Sequence, residues 1–249
     1  MSRWRSTRRA RDDDQRSDVG ITLAARSAPL PTASDEPYVS LRGVSKTYGS
    51  GRTAIQVLSE IDIDIGAGEL AVVAGPARSG KTTLLELIGG SRPPSTGQIV
   101  VGRHRIDMLD ERGCLEFRTR NVALAPQTPT LAPTLTPYET VWQTAQLRGI
   151  AEPDRWSRFL LEAVGLQDDT DCAAAELSDE DQQRLSVARA LAKDAPLLLA
   201  DEPLSAATTE TRRLVLSTLR QVSRMRSTTV ILTAAETQSV PIADRLIRL

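Results

Sequence analysis

The chain has 249 residues, of which 40% are apolar, and a formal net charge of −1. This is long enough to bury a sizeable core, as one domain or as a core with a subdomain. The near-neutral charge gives no electrostatic footprint for nucleic acid, and no segment approaches the roughly 20 apolar residues of a membrane-spanning helix. Cys114 and Cys172 lack the spacing of a metal site or a disulfide framework, so a reducing compartment is expected.

The first 37 residues differ from the rest because they are polar and have no periodic apolar positions. Five arginines between positions 3 and 11 precede Asp12, Asp13 and Asp14, and no apolar segment of an export signal follows. A disordered, solvated tail over residues 1–37 is the expectation. A basic arm that touches lipid headgroups is the alternative.

Ordered sequence is predicted from Tyr38 onwards. Residues 39–48, 54–58 and 60–65 are short, β-rich stretches separated by Gly and Ser, and they predict an antiparallel sheet. Within the last of them, isoleucine and aspartate alternate strictly, which indicates one buried and one exposed face.

The rest of the chain alternates between strands and helices, which favours a parallel α/β sheet. Ser178 is a predicted N-cap, and Gly89 and Gly90 end the first helix. The predicted strands are 70–74, 122–125, 197–200 and 229–232. One predicted helix begins at Lys81, and the other four span 136–148, 154–164, 178–192 and 208–225.

A glycine-containing loop joins the strand at 70–74 to the helix that begins at Lys81. It reads Gly-Pro-Ala-Arg-Ser-Gly-Lys-Thr over 75–82. Such a loop curls its N–H groups around an anion, and the helix N-terminus adds donors and partial positive charge. Lys81 can reach the β- and γ-phosphates, and the Thr82 hydroxyl can hold Mg²⁺. A chance glycine turn is the alternative, but the flanking strand and helix favour phosphate binding. The predicted nucleotide-binding residues here are Gly75, Pro76, Ala77, Arg78, Ser79, Gly80, Lys81, Thr82 and Thr83.

Two carboxylates, Asp201 and Glu202, follow the apolar strand at 197–200. A carboxylate at the end of a buried strand beside a phosphate loop is suited to binding Mg²⁺, which is the role predicted for Asp201. Glu202 is the predicted general base that polarises the attacking water. A polar strand-to-loop turn is the alternative interpretation, but the phosphate loop upstream favours the metal and base roles.

From Val39 to the C-terminus, the chain resembles the ATP-binding subunits of ABC transporters. The segment 75–82 matches the Walker A motif, and 197–202 matches Walker B with its catalytic glutamate. The segment 177–191 matches the signature helix. The sequence looks most similar to the branch with lipoprotein-releasing and macrolide-exporting systems.

The resemblance assigns two further residues. Gln127 matches the Q-loop glutamine, which implies catalytic contact with water and with Mg²⁺, and an ordinary loop glutamine is the alternative. Tyr48, in Lys-Thr-Tyr-Gly, matches the aromatic residue that stacks on adenine. A plain strand aromatic is the alternative for Tyr48.

The fold implied is a P-loop NTPase core with a parallel sheet, an antiparallel β-subdomain and a small α-helical subdomain. It would occupy residues 38–249, with the helical subdomain at about 128–190. The implied cofactors are ATP and Mg²⁺. The implied partners are a membrane permease and a second ABC ATPase or a second copy of the chain, at the inner face of the cell membrane. Four residues either line the groove for the permease or form the core of the helical subdomain: Leu131, Leu135, Tyr138 and Trp142.

The chain departs from the family pattern at several motifs. Residues 234–236 are Ala-Ala-Glu where relatives have a histidine, and His104, the only histidine, lies far upstream. Asp179 and Glu180 replace the two signature glycines, which in the family face the opposite subunit's nucleotide. Residues 205–208 lack the aspartate that communicates across the dimer. Arg78 stands where many relatives have glycine.

These departures spare the residues for binding nucleotide in the chain's own pocket and remove those that act across a dimer or complete catalysis. The implied function is therefore an ATP-binding subunit that drives or gates a permease, with impaired hydrolysis and a better-equipped partner ATPase. A non-hydrolysing ATP-binding module that regulates or scaffolds a membrane complex is the alternative.

Overall fold

The computed structural model describes residues 36–168, 172–203, 205, 207–235, 240 and 242–249, so the predicted tail lies outside it apart from its last two residues. The strands are β1 (Val39–Tyr48), β2 (Ile55–Ile65), β3 (Leu70–Gly75), β4 (Thr96–Val101), β5 (His104–Arg105), β6 (Val122–Ala125), β7 (Leu197–Ala200), β8 (Thr229–Ala235) and β9 (Arg245–Arg248). The helices are α1 (Lys81–Ile88), α2 (Glu111–Asn121), α3 (Pro137–Leu147), α4 (Pro153–Ala163), α5 (Asp179–Ala192) and α6 (Thr209–Arg226).

The strands form two sheets. One is parallel, with strand order β6-β7-β8-β3-β9, and the other is antiparallel, with order β2-β1-β4-β5. Strands β3, β7 and most of β8 are buried along their length, as continuous apolar strands covered on both faces are. The predicted α/β class, with a parallel core and a separate antiparallel sheet, is confirmed.

Strand β2 corrects one prediction, because 54–58 and 60–65 form a single strand rather than two. Ile63 and Ile65 are buried while Asp62 and Asp64 are exposed, so the alternation sets the face as expected. The expected break becomes a shift of register against β1, and Glu60 there has a φ of 48°. Such a bulge bends a strand without ending it.

Helices α3, α4 and α5 pack around the fully buried Trp156. Helix α3 begins with a reciprocal capping box between Thr136 and Glu139. Helix α5 begins after Ser178, whose side chain accepts a hydrogen bond from the Asp181 N–H, so the predicted cap is confirmed. The extent of a helical subdomain over 128–190 stays a prediction.

The strand order sets the position of the candidate site. β8 lies between β7 and β3, and all three strands are parallel. Their carboxyl ends therefore meet at one edge of the sheet, which brings the phosphate loop after β3 beside the carboxylates after β7. Within the part of the chain that the structure describes, no helix is long and apolar enough to cross a membrane.

Candidate functional site

Strand β2 packs against the loop between β3 and α1. Gly80 has a φ of 96°, a backbone conformation that glycine adopts most easily. A Cβ added to Gly80 would lie 2.8 Å from Leu58 Cδ2 and 3.1 Å from the Val57 carbonyl oxygen. The close approach of β2 therefore explains the second glycine of the motif.

Lys81 is buried inside the loop, with 5% of its side chain exposed. Its ammonium donates to the carbonyl oxygens of Gly75 and Pro76, each at 2.9 Å. Its Nζ also lies 3.3 Å from Glu202 Oε1. The charge is thus held at the mouth of the loop, where it can exchange these contacts for phosphate oxygens.

The candidate metal ligands are joined directly. The Thr82 hydroxyl donates to Asp201 Oδ2 at 2.7 Å, and the Thr233 hydroxyl donates to Asp201 Oδ1 at 2.7 Å. The Glu202 N–H in turn donates to Thr233 Oγ1 at 2.7 Å. Sequence reasoning missed Thr233, because a threonine inside an apolar strand carries no motif. Only the strand order, which sets β8 beside β7, reveals its contact with both carboxylate residues.

We expect Thr233→Val to lower the free energy of unfolding by about 1–3 kcal/mol, because it leaves a buried carboxylate oxygen and an N–H without their partner. Urea unfolding monitored by circular dichroism measures this loss. Thr119→Val is the matched control, since Thr119 is exposed on α2, and it should change stability by less than about 0.5 kcal/mol. Equal effects from both variants would contradict the importance of the buried hydroxyl.

Glu202 and Gln127, the two predicted catalytic residues, are in contact. Gln127 Nε2 donates to Glu202 Oε2 at 3.2 Å. Glu202 has a φ of 42°, which is uncommon for a residue with a side chain and is often found at functional sites. The structure therefore brings Lys81, Thr82, Gln127, Asp201 and Glu202 together at one edge of the sheet.

The donor set fits a nucleotide with a hard cation. Thr82, Asp201 and Gln127 offer oxygen ligands of the kind Mg²⁺ prefers, and Mg²⁺ sites commonly use one or two carboxylates together with phosphate oxygens. Among the described residues there is no group of three or more His, Cys, Asp or Glu side chains that could hold a metal without a substrate. Ser79 Oγ is buried in the loop and makes no hydrogen bond, which leaves a donor for an anion. Thr83 lies in the first turn of α1, while Pro76, Ala77 and Arg78 are exposed.

Tyr48 lies at the end of β1, where it pairs with Ile55 of β2. Val57, two residues after Ile55, is part of the segment of β2 that lies against Gly80. Two cations lie against its ring, with Lys46 Nζ 5.3 Å and the Arg92 guanidinium carbon 5.6 Å from the ring centroid. A base that stacks on Tyr48 must share the ring with these cations. Adenine stacking at Tyr48 remains a prediction.

The first turn of α5 carries the three acidic residues at 179–181. Asp181 pairs with Arg184, and Glu180 lies 3.5 Å from the Thr208 hydroxyl. Asp179 is exposed and pairs with no described residue. Acidic residues here favour the helix dipole, and of the three only Asp179 is exposed. In the following loop, Ser205 accepts from Gln183 and Thr208 caps α6, while Ala206 lies outside the described residues.

A cavity of about 570 Å³ lies behind the candidate metal ligands, between α1, β6 and α5. Its wall contains Arg118, Arg189 and Lys193, whose side chains donate to backbone carbonyls. Burial, followed by the neighbouring Arg148 cation, lowers the pKa of Lys193. Leu124 of β6 also lines the cavity and is 50% exposed. The cavity is therefore open, and its largely apolar wall carries three cations together with Glu86 and Asp201.

Comparison with known proteins identifies the family of the chain. The family model described as ABC transporter matches residues 58–205, more than half of the chain. An uncharacterised ABC transporter ATP-binding protein of Mycobacterium tuberculosis is 34% identical over 86% of this chain and 87% of its own length. The lipoprotein-releasing system ATP-binding protein LolD 1 of Caulobacter vibrioides is 36% identical over 78% of this chain and 84% of its own length.

A longer relative and a solved structure complete the comparison. The macrolide export ATP-binding/permease protein MacB of Marinobacter nauticus is 33% identical over 87% of this chain, which spans only 34% of that protein. The dimeric ATP-binding cassette MJ0796, in a post-hydrolysis state bound to ADP and Pi, superimposes with a TM-score of 0.75 at 28% identity, covering 85% of this chain and 94% of its own. This chain belongs to the ABC transporter family, among its ATP-binding proteins.

Proposed function

We propose that the chain binds ATP together with Mg²⁺, hydrolyses it slowly, and drives or gates a membrane permease in a dimer with a second ATP-binding cassette. The direct 2.7 Å hydrogen bond between Thr82 and Asp201 carries the proposal, because it joins the phosphate loop to the candidate metal carboxylate. Mg²⁺, when bound, would neutralise charge on the β- and γ-phosphates.

The chain's own residues divide the remaining work. Lys81 and the N-terminus of α1 bind the phosphates, and Ser79 adds its hydroxyl. Thr82, Asp201 and Gln127 would hold the cation. Glu202, aligned by Gln127 and by the Thr233 contact to its N–H, accepts the proton of the attacking water.

Residues at the end of β8 and at the start of α5 support slow hydrolysis. Ala234 and Ala235 pair with Ala74 and Gly75, so the strand beside the phosphate loop presents methyl groups there. Loss of one contact to the reacting group typically costs on the order of 10²–10³ in rate. If the α5 N-terminus faces a partner's nucleotide, Asp179 and Glu180 repel it. Two like charges 4 Å apart repel by about 4 kcal/mol at an effective dielectric of 20.

Turnover and binding by the purified full-length chain test the proposal. Calorimetric titration should give saturable binding of ATP with Mg²⁺. Steady-state hydrolysis should stay below about 0.1 s⁻¹, given a median enzyme turnover of about 10 s⁻¹ and a loss on the order of 10². Failure to bind the nucleotide would overturn the proposal, and turnover near 10 s⁻¹ would overturn its slow-hydrolysis part.

A non-hydrolysing regulatory module is the second candidate, favoured by the alanines that end β8. The two candidates differ when the chain is mixed with a fully equipped cassette and its permease. Hydrolysis that disappears on substitution of Glu202→Gln in this chain supports the first. A hydrolysis rate that the substitution leaves unchanged supports the second.

The partners are inferred from relatives and from the cationic cavity. MJ0796 forms a dimer, and MacB carries ATP-binding and permease parts in one protein. We infer that the cavity lined by Leu124 and Lys193 receives a permease segment with apolar and acidic side chains, at the inner face of the cell membrane.

We expect Leu124→Ser to weaken association with the permease by about tenfold. It removes an exposed apolar contact worth about 1.5 kcal/mol or more when buried. Co-purification of the tagged chain with a candidate permease measures the loss. Leu147→Ser is the control, because Leu147 is 87% exposed and does not line the cavity. Equal binding by both variants would contradict docking at this cavity.

A further inference from the structure

Arg78 is the exposed cation of the phosphate loop. It lies between Gly75 and Gly80, three residues before Lys81, and pairs with none of the described residues. Its φ is 67°, a conformation that is strained for a residue with a Cβ and that glycine would adopt freely. An unpaired arginine is thus kept at a position that glycine suits better.

Without Arg78, the candidate site has fewer cationic than anionic side chains. Lys81 lies 3.3 Å from Glu202, and the second carboxylate, Asp201, lies against Thr82. One cation therefore faces two carboxylates before any nucleotide binds. A triphosphate adds further negative charge, so a bound metal ion and a second protein cation are both favoured at its terminal group.

Strand β8 supplies no cation where it ends beside the loop, and on the other side of β3 strand β9 carries the exposed Arg248 opposite Ala74. β8 ends with Ala234 and Ala235 opposite the start of the loop, and the nearby Thr233 hydroxyl is already bonded to Asp201. Ser79, the residue after Arg78, has a buried hydroxyl without a hydrogen-bond partner, which can donate to a phosphate oxygen. Arginine presents a planar fork of N–H donors that matches phosphate oxygens.

We propose that Arg78 binds the γ-phosphate of the nucleotide and makes the chain select triphosphate over diphosphate. The inference rests on the proposed function, since it assumes that the loop binds ATP. It assigns to Arg78 the terminal-phosphate contact that the alanines of β8 cannot make.

The test compares affinities of the full-length chain for ADP and for the non-hydrolysable ATP analogue with an imido group between its β- and γ-phosphates, both with Mg²⁺. Arg78→Ala should lower the triphosphate-to-diphosphate affinity ratio by about ten- to hundredfold, as expected for losing a charge-assisted hydrogen bond. Arg78→Lys should retain part of the ratio.

Two further variants separate the side chain from the backbone. Arg78→Gly relieves the positive φ, so it should melt no lower than the wild-type protein and still lose the ratio. Arg213→Ala, which removes an exposed arginine on α6, should leave the ratio unchanged.

An unchanged affinity ratio in Arg78→Ala would overturn the inference, whether the two affinities stay the same or fall by the same factor. So would a weaker dimer with an unchanged ratio, because Arg78 would then pair with a partner protein, for example with the acidic turn of α5 in a second copy. A wild-type chain that binds neither nucleotide would instead sink the proposed function itself.

Discussion

Lys81→Ala should weaken ATP binding between about ten- and hundredfold. The ammonium makes charge-assisted contacts, each worth about 1.5–3 kcal/mol, and alanine cannot replace them. Lys81 is buried and bonded to two carbonyls of its own loop, so its ammonium is fixed within the loop. Titration calorimetry with ATP and Mg²⁺ measures the loss directly.

Stability must be separated from binding in this variant. Removing Lys81 leaves the Gly75 and Pro76 carbonyls and Glu202 without their partner, which affects the fold as well as the ligand. Thermal melting without nucleotide gives the structural effect, and Lys81→Met retains most of the side-chain packing. If Lys81→Met melts like wild type and still binds ATP at full affinity, the phosphate loop does not bind nucleotide as proposed.

Turnover should rise on the order of 10²-fold when three residues are changed together: Asp179→Gly, Glu180→Gly and Ala234→His. The first two changes remove negative charge from the first turn of α5, and the third returns a donor beside the phosphate loop. Phosphate release by the dimeric full-length variant measures the gain. The glycines should lower helix stability by about 1–2 kcal/mol in total, because glycine has low helix propensity.

The structure also shows which of the three changes is the most demanding. Ala234 is 2% exposed, so an imidazole there must displace packed neighbours, whereas Asp179 is exposed and free to change. The double glycine variant alone is therefore the cleaner partial test. Adding Glu202→Gln to the triple variant should abolish the gain, which identifies the site that hydrolyses. A folded, ATP-binding triple variant with wild-type turnover refutes the interpretation of the departures.

The sequence predicts those elements in which burial imposes a visible pattern of apolar residues. The apolar runs of β3, β7 and β8 and the alternation in β2 follow from burial on two faces and on one face. Helix α2 was missed because only Phe117 on it is buried, so it has no apolar period. Strand β9 was missed because it is short and arginine-flanked, and its backbone pairing with β3 defines it. The short strands β4 and β5 were also missed.

The candidate site is predictable where the chemistry is local. Lys81 and Thr82 lie in one motif, and the pair at 201–202 ends a visible strand, so spacing alone locates them. Contacts between distant segments are invisible in the sequence. The Thr233 hydroxyl reaches Asp201 across 32 positions, and it does so only because β8 inserts between β7 and β3.

The same hydroxyl bonds to both residues that the proposed reaction requires. Thr233 donates to Asp201 and accepts from the Glu202 N–H, so one side chain on β8 positions both the candidate metal carboxylate and the candidate base. A shift of β8 would move these two groups in concert. Under the proposed roles, cation affinity and the alignment of the attacking water are thermodynamically linked through Thr233.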